Sequence, residues 1–127
     1  MDLQLHNKVM MVAGASKGLG YAIAKTLAHE GALLSITSSN AQRIQQAANT
    51  LHLPSILAQQ CDVKNEQDIG DWVDKTITQF GRIDGLVNNA GGQFPSALAS
   101  ISTNGFDAVV KNNLHGTFLM MREVYNQ

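Results

Sequence analysis

The residues Gly14-Ala15-Ser16-Lys17-Gly18-Leu19-Gly20 come directly after the short apolar run Val9–Val12 and lead into a helical pattern that starts at Tyr21. Their types and position suit one kind of chemistry, the holding of a phosphate or pyrophosphate. Glycine lets backbone approach a bulky anion where a Cβ would obstruct it. The helix beyond them offers unpaired N–H groups and a partial positive charge at its start. The spacing is G-x-x-x-G-x-G, which is neither G-x-G-x-x-G nor a P-loop, since it lacks a closing Gly-Lys-Ser/Thr. The plainer reading is a glycine-rich turn needed only for tight strand–helix packing.

Other polar residues stand where elements end. Asn88-Asn89-Ala90-Gly91-Gly92 comes after the short strand pattern Gly85–Val87, and Asp62 comes after Ile56–Gln60. An aspartate at such a place also serves simply as a turn cap. Asn113 and Thr117 fall within the apolar stripe Phe106, Val109, Val110, Leu114, Phe118 and Met121 of the last helical segment. A polar group facing a core needs a hydrogen bond, so a satisfied core amide is the plain reading of Asn113. His6, His29, His52 and His115 show no metal-ligand spacing, and Cys61 is the sole cysteine, so no metal site is expected. His115, two residues from Asn113, points to another helix face.

The elements that must position these residues alternate. The strand patterns are Val9–Val12, Leu33–Thr37, Ile56–Gln60 and Gly85–Val87. The first helix spans Tyr21–Glu30, with Ala22, Ile23, Thr26 and Leu27 on one face and Gly31 as its stop. The second spans Ala41–Leu51, capped by Asn40, with Ile44, Ala47, Ala48 and Leu51 as its stripe. The third has the clearest period, at Ile69, Trp72, Val73, Thr76, Ile77 and Phe80, with Asn65 as cap and Gly81 beyond its end. A last helix covers about Asn104 to Tyr125, after a loop. This β-α alternation predicts an α/β fold with a parallel sheet, right-handed crossovers and helices on both faces.

Composition narrows the function. The chain of 127 residues, 44% apolar and 15% charged, fits one globular domain over residues 1–127. A formal net charge of -1 with no basic patch argues against a nucleic-acid partner. Met1 to Lys8 is too mixed for a signal peptide, and no apolar run has membrane-spanning length. One cysteine fits a reducing, cytoplasmic setting.

The motifs together resemble the short-chain dehydrogenases/reductases. The Gly14–Gly20 loop is similar to that family's cofactor loop, and Asn88-Asn89-Ala90-Gly91 to its second signature. Cys61-Asp62-Val63 is similar to its Asp-Val pair, and Asn113-Leu114-His115-Gly116-Thr117-Phe118 to its Asn-Leu-x-Gly-x-Phe segment. The resemblance implies a Rossmann-like doubly wound parallel sheet, here its first four strands in order 3-2-1-4. Ligands of such sheets bind where strand order reverses, between the first and fourth strands. By the same resemblance Gly14, Ser16, Lys17, Gly18, Leu19 and Gly20 line phosphates and ribose, and Asp62 and Val63 meet the adenine. Asn89, Ala90 and Gly91 flank ribose and nicotinamide, while Asn88 ties neighbouring strands together. Asn113 becomes the catalytic asparagine that distorts its helix and orders a water in a proton relay. Gln93 and Phe94 touch substrate if the similarity to the enoyl- and dienoyl-thioester reductase branch holds.

An acid at the end of the second strand would select NAD. Ile36-Thr37-Ser38-Ser39-Asn40 has none. Ser38 and Ser39 leave room for a 2′-phosphate, and Lys17 or Arg43 supplies charge, so the pattern favours NADP with NAD as the alternative. A lysine at position 17 is also an ordinary surface residue. The family's chemistry further needs Tyr-x-x-x-Lys and a serine beyond the last helix; Tyr21 and Lys25 have that spacing but stand in the first helix, and Tyr125 has no Lys four residues later. The expectation is therefore an NADP-dependent oxidoreductase acting on a small molecule, seen as its cofactor half, truncated before the Tyr-x-x-x-Lys region and inactive alone. Such a fragment leaves Leu86 and Val87 on an open sheet edge, and the family's habits imply self-association. The rival is a non-catalytic module that binds a nucleotide or a partner.

Overall fold

Val9–Ala13 forms β1 and lies inside the sheet, because its residues are apolar on both faces: Val9, Met11, Val12 and Ala13 are all buried. The computed structural model describes residues 1–127. From β1 the chain continues as α1 (Gly18–His29), β2 (Leu33–Ser38), α2 (Ala41–Leu51), β3 (Ile56–Gln60), α3 (Glu66–Phe80) and β4 (Gly85–Asn88). It ends in α4 (Thr103–Val110), a π-helical turn at Lys111–His115, and α5 (Gly116–Tyr125). The four strands are parallel in the order β3-β2-β1-β4, as the sequence predicts. Val12 of β1 lies opposite Ile36 of β2 and Val87 of β4.

The two faces of the sheet carry separate cores. Val12, Leu34 and Ile36 pack with Ala24 of α1 and with Ile44 and Ala48 of α2. Met11, Ala13, Cys61 and Val63 pack with Ile69, Trp72 and Val73 of α3 and Leu119 and Met120 of α5. β2 is polar on this second face, and its polar groups are satisfied. Trp72 Nε1 donates to Ser35 Oγ at 2.8 Å, and Ser35 Oγ and Thr76 Oγ1 lie 2.7 Å apart. Thr76 Oγ1 also bonds the Trp72 carbonyl. A fully paired network of this kind fixes β2 against α3 in one register.

Two helices differ from the sequence expectation. α1 starts at Gly18, three residues before Tyr21, and Ala22 and Thr26 of its expected stripe are exposed. Gly20 and Ala24 face the sheet instead, small residues that carry little hydrophobic signal but allow close approach. The expected single last helix is interrupted by the π turn. Phe106 (58% exposed), Leu114 (69%), Phe118 and Met121 face outwards, and Gly116, Leu119 and Met120 are buried in their place. One extra residue in a turn rotates the remainder of the helix by roughly 100°, which moves the buried face beyond the turn; Phe106 precedes it, in α4, which buries no residue. The sheet edge does match the expectation: β4 pairs only with β1, so its outer edge is open and Leu86 and Val87 are half-buried.

Ser35→Ala removes the acceptor of Trp72 Nε1, while Thr76 Oγ1 keeps its bond to the Trp72 carbonyl. It should lower the urea midpoint at unchanged slope, with a loss of about 1–3 kcal/mol, the usual penalty for unsatisfied buried donors.

Candidate functional site

Strand order reverses beside β1: the chain moves to β2 and β3 on one side and returns to β4 on the other. The loops after β1 and β4 therefore leave from neighbouring strand ends and diverge above them, which opens a crevice. Its volume is about 520 Å³, within the range of small-molecule sites. Gly14, Ser16, Lys17 and Gly18 line it from the first loop, Ser38 and Ser39 from the end of β2, Asp62 and Val63 from the end of β3, and Asn89, Ala90 and Gly91 from the end of β4. These come from four separate stretches of sequence. Leu19 and Gly20 do not line the crevice: the Leu19 side chain is 72% exposed, and Gly20 is buried beneath the loop. Asn113, Gln93 and Phe94 are exposed and also lie off its lining.

The Gly loop is held from both sides. Gly14 has φ +70°, a conformation that favours glycine, and a Cβ there would crowd Ala90 Cα at 3.0 Å. A Cβ on Gly20 would fall 2.2 Å from the Gly14 carbonyl oxygen, so α1 can start this close to the loop only with glycine. Asn89 Nδ2 donates to the carbonyls of Ala13 (3.3 Å) and Gly14 (3.1 Å), tying the end of β4 to the Gly loop. The Ala15 N–H donates to the Thr37 carbonyl, fixing the same loop to β2. Asn88 is engaged with a helix rather than a neighbouring strand: its Nδ2 donates to the Thr117 carbonyl of α5.

The start of α1 differs from the starts of α2, α3 and α4. Asn40 accepts from the Arg43 N–H, Asn65 from those of Gln67 and Asp68, and Ser102 from that of Gly105. The residue in the capping position of α1 is Lys17, which caps nothing, and no acid stands in the first turn. The N–H groups of Gly18, Leu19 and Gly20 find no backbone acceptor. These donors, with the positive end of the helix dipole, remain for an anion. A Cβ on Gly18 would meet no atom within 4 Å, so the backbone there is open to a ligand.

Charge points the same way. Lys17 and Lys64 line the crevice and neither is in an ion pair, whereas Asp62 is the only acid there. Asp62 Oδ1 caps its own turn by accepting from the Lys64 N–H at 2.9 Å, while its other oxygen accepts no protein donor. The turn-cap reading of Asp62 thus holds, and one oxygen is left over. Ser38 Oγ is spent on the backbone of Asn40. Arg43, the other cation considered for this end, is exposed and off the crevice.

Cys61, Thr37, Lys64 and Asn112 complete the lining, and the sequence assigns none of the four a role towards a ligand. Lys64 adjoins the Asp62-Val63 pair and could have been found by extending that turn. Thr37 lies next to the last residue of β2 and Cys61 directly follows β3, beside Ser38 and Asp62. Asn112 was hidden because the π turn changes which residue of that helix faces the crevice. The Cys61 thiol is buried, and burial, with the charge of Asp68 adding to it, pushes its pKa up to about 12. It is therefore a neutral thiol, not a nucleophile.

Asn113 is exposed, so the core-facing position expected for it is not found. Its side chain is nonetheless fully used. Nδ2 donates to the Gly92 carbonyl (2.7 Å) and the Val109 carbonyl (2.9 Å), and Oδ1 accepts from the Gly92 N–H (3.2 Å). Thr117 Oγ1 donates to the Asn113 carbonyl. Side chains inserted into the helical ladder in this way are a recognised cause of helix distortion, and Asn113 sits in the middle of the π turn.

Comparison with known proteins agrees with this geometry. Residues 8–127 match the family model of the short chain dehydrogenases. The peroxisomal 2,4-dienoyl-CoA reductase of Danio rerio is 34% identical over 97% of this chain and 42% of its own length. The citronellol catabolism dehydrogenase of Pseudomonas aeruginosa is 36% identical, with TM-score 0.90, over 97% of this chain and 52% of its own. A short-chain dehydrogenase/reductase from Brucella melitensis superposes with TM-score 0.95 at 27% identity, over 99% of this chain and 54% of its own. The chain spans about half the length of the relatives it matches.

Gly20→Ala forces the Gly loop off α1 and should cost about 1–3 kcal/mol by overpacking, read as a lower thermal midpoint. Cys61 should resist alkylation in the folded chain and react on denaturation. Its raised pKa also means that the unfolded state ionises first. The stabilisation is complete below the ordinary thiol value of 9.0 and is lost as pH climbs towards about 12, which unfolding curves across that interval would register.

Proposed function

The chain belongs to the short-chain dehydrogenase family, and on that footing we propose that residues 1–127 form one NADP-binding domain, the cofactor half of an oxidoreductase. The whole protein would transfer hydride to or from a carbonyl, an alcohol or an enoyl thioester. The observation that carries the reading is the uncapped start of α1, opening on a crevice with two unpaired lysines. Unsatisfied N–H donors, open backbone at Gly18 and unpaired cations fit a pyrophosphate.

The dinucleotide would supply the hydride-carrying nicotinamide. Gly14, Ser16, Gly18 and the amides of Leu19 and Gly20 hold its phosphates in this reading. The free oxygen of Asp62, with Val63, takes the adenine. Asn89, Ala90 and Gly91 meet the nicotinamide end. No acid stands at the end of β2 to repel a 2′-phosphate, and Ser39 and Lys17 are available to it. With Arg43 off the crevice, Lys17 carries the preference for NADP. Asn113, through its grip on Gly92, steadies the segment that presents Ala90 and Gly91. Gln93 and Phe94 adjoin that segment and are read as substrate contacts. The outward apolar side chains of α4 and α5 support a homo-oligomer, and the lone buried thiol suits a reducing, cytoplasmic compartment.

Titration with NADPH and NADH, monitored by nicotinamide fluorescence, tests the reading. NADPH should bind tighter by about tenfold, the worth of one charge-assisted contact, and Lys17→Ala should erase most of the difference. Tighter NADH would overturn the phosphate preference, and binding of neither would overturn the nucleotide site.

A further inference from the structure

Asn104-Gly105 is the one Asn-Gly pair in the sequence, and it lies in the first turn of α4. An asparagine with glycine next in the chain is open to self-modification, because glycine leaves its own amide nitrogen unhindered. Two features of the structure bear on that reaction. The Gly105 N–H donates to Ser102 Oγ at 3.0 Å, so the attacking nitrogen is held by the helix cap. α4 contains no buried residue, and Asn104 itself is exposed. A helix without a buried anchor belongs to the low-stability end of a structure and opens locally with little cost.

We propose that Asn104 is a deamidation site held shut by the Ser102 cap, and that opening of the first turn of α4 sets its rate. In the open form the Gly105 backbone nitrogen attacks Asn104 Cγ and gives up its proton. The new N–C bond closes a succinimide, and the side-chain nitrogen leaves as ammonia with that proton. Water then adds to one or the other ring carbonyl and opens the ring, leaving an aspartyl or isoaspartyl residue. No oxidant or reductant takes part. The new carboxylate stands in a cavity of about 570 Å³ that Lys64, Lys111 and His115 also line. A neutral amide thus becomes a second anion beside Asp107, in a cavity whose other charged groups are Lys64 and Lys111, and Lys64 also borders the main crevice.

The test is prolonged incubation of the chain in mildly alkaline buffer, with peptide mapping by mass spectrometry. Conversion at Asn104 should precede conversion at every other asparagine. Ser102→Ala should speed it about fivefold, the factor a typical cap confers on the closed population. Ser102→Asp restores an acceptor for the Gly105 N–H and should return the rate to near that of the parent. This second variant separates loss of the cap from general loosening, and circular dichroism checks that both variants fold. An unchanged rate in Ser102→Ala, equal acceleration in both variants, or earlier conversion at another asparagine would overturn the proposal.

Discussion

The side-chain amide of Asn89 reaches across the point where strand order reverses and holds the carbonyls of Ala13 and Gly14. Two loops that would otherwise splay apart above β1 and β4 are joined there. Everything on the crevice depends on that union. It sets the separation between the Gly loop and the Ala90-Gly91 turn, and it requires the close backbone approaches at Gly14 and Gly20. The sheet supplies adjacency through parallel pairing of β1 with β4, and the amide converts adjacency into a fixed geometry.

The second constraint is electrostatic. Four helices of this chain begin after extended backbone, and three of them satisfy their first amides with an asparagine or serine. The fourth, α1, begins with Lys17 and glycine and leaves its amides free. Free donors at the start of a helix suit a bound anion. Acids are equally scarce around the crevice, where Asp62 is the only carboxylate and half of it is engaged in its own turn.

Much of this was legible in the sequence, because it rests on local patterns. Strand and helix alternation, the caps Asn40 and Asn65, the period of α3 and the strand order inferred from resemblance all match the structure. The features that were not legible depend on contacts across the chain. α1 presents Gly20 and Ala24 to the sheet, and small residues leave no hydrophobic stripe to read. Asn113 stands in the middle of the π turn and bonds Val109 and a distant Gly92, and a uniform helical period gave the wrong buried face beyond that turn. Asn88 and Asn89 are alike in sequence, and only their positions on successive sides of β4 and its exit assign one to α5 and the other to the Gly loop. Lys64 enters the lining because Asp62 bends the chain back through its own turn.

The most direct measurement of the central claim is amide chemical-shift mapping of the isotope-labelled chain as NADP is added. The account predicts that the Gly18, Leu19 and Gly20 amides move together with those of Ala90 and Gly91, since both loops hold one ligand. Shifts confined to one loop, or centred on amides remote from the crevice, would contradict it.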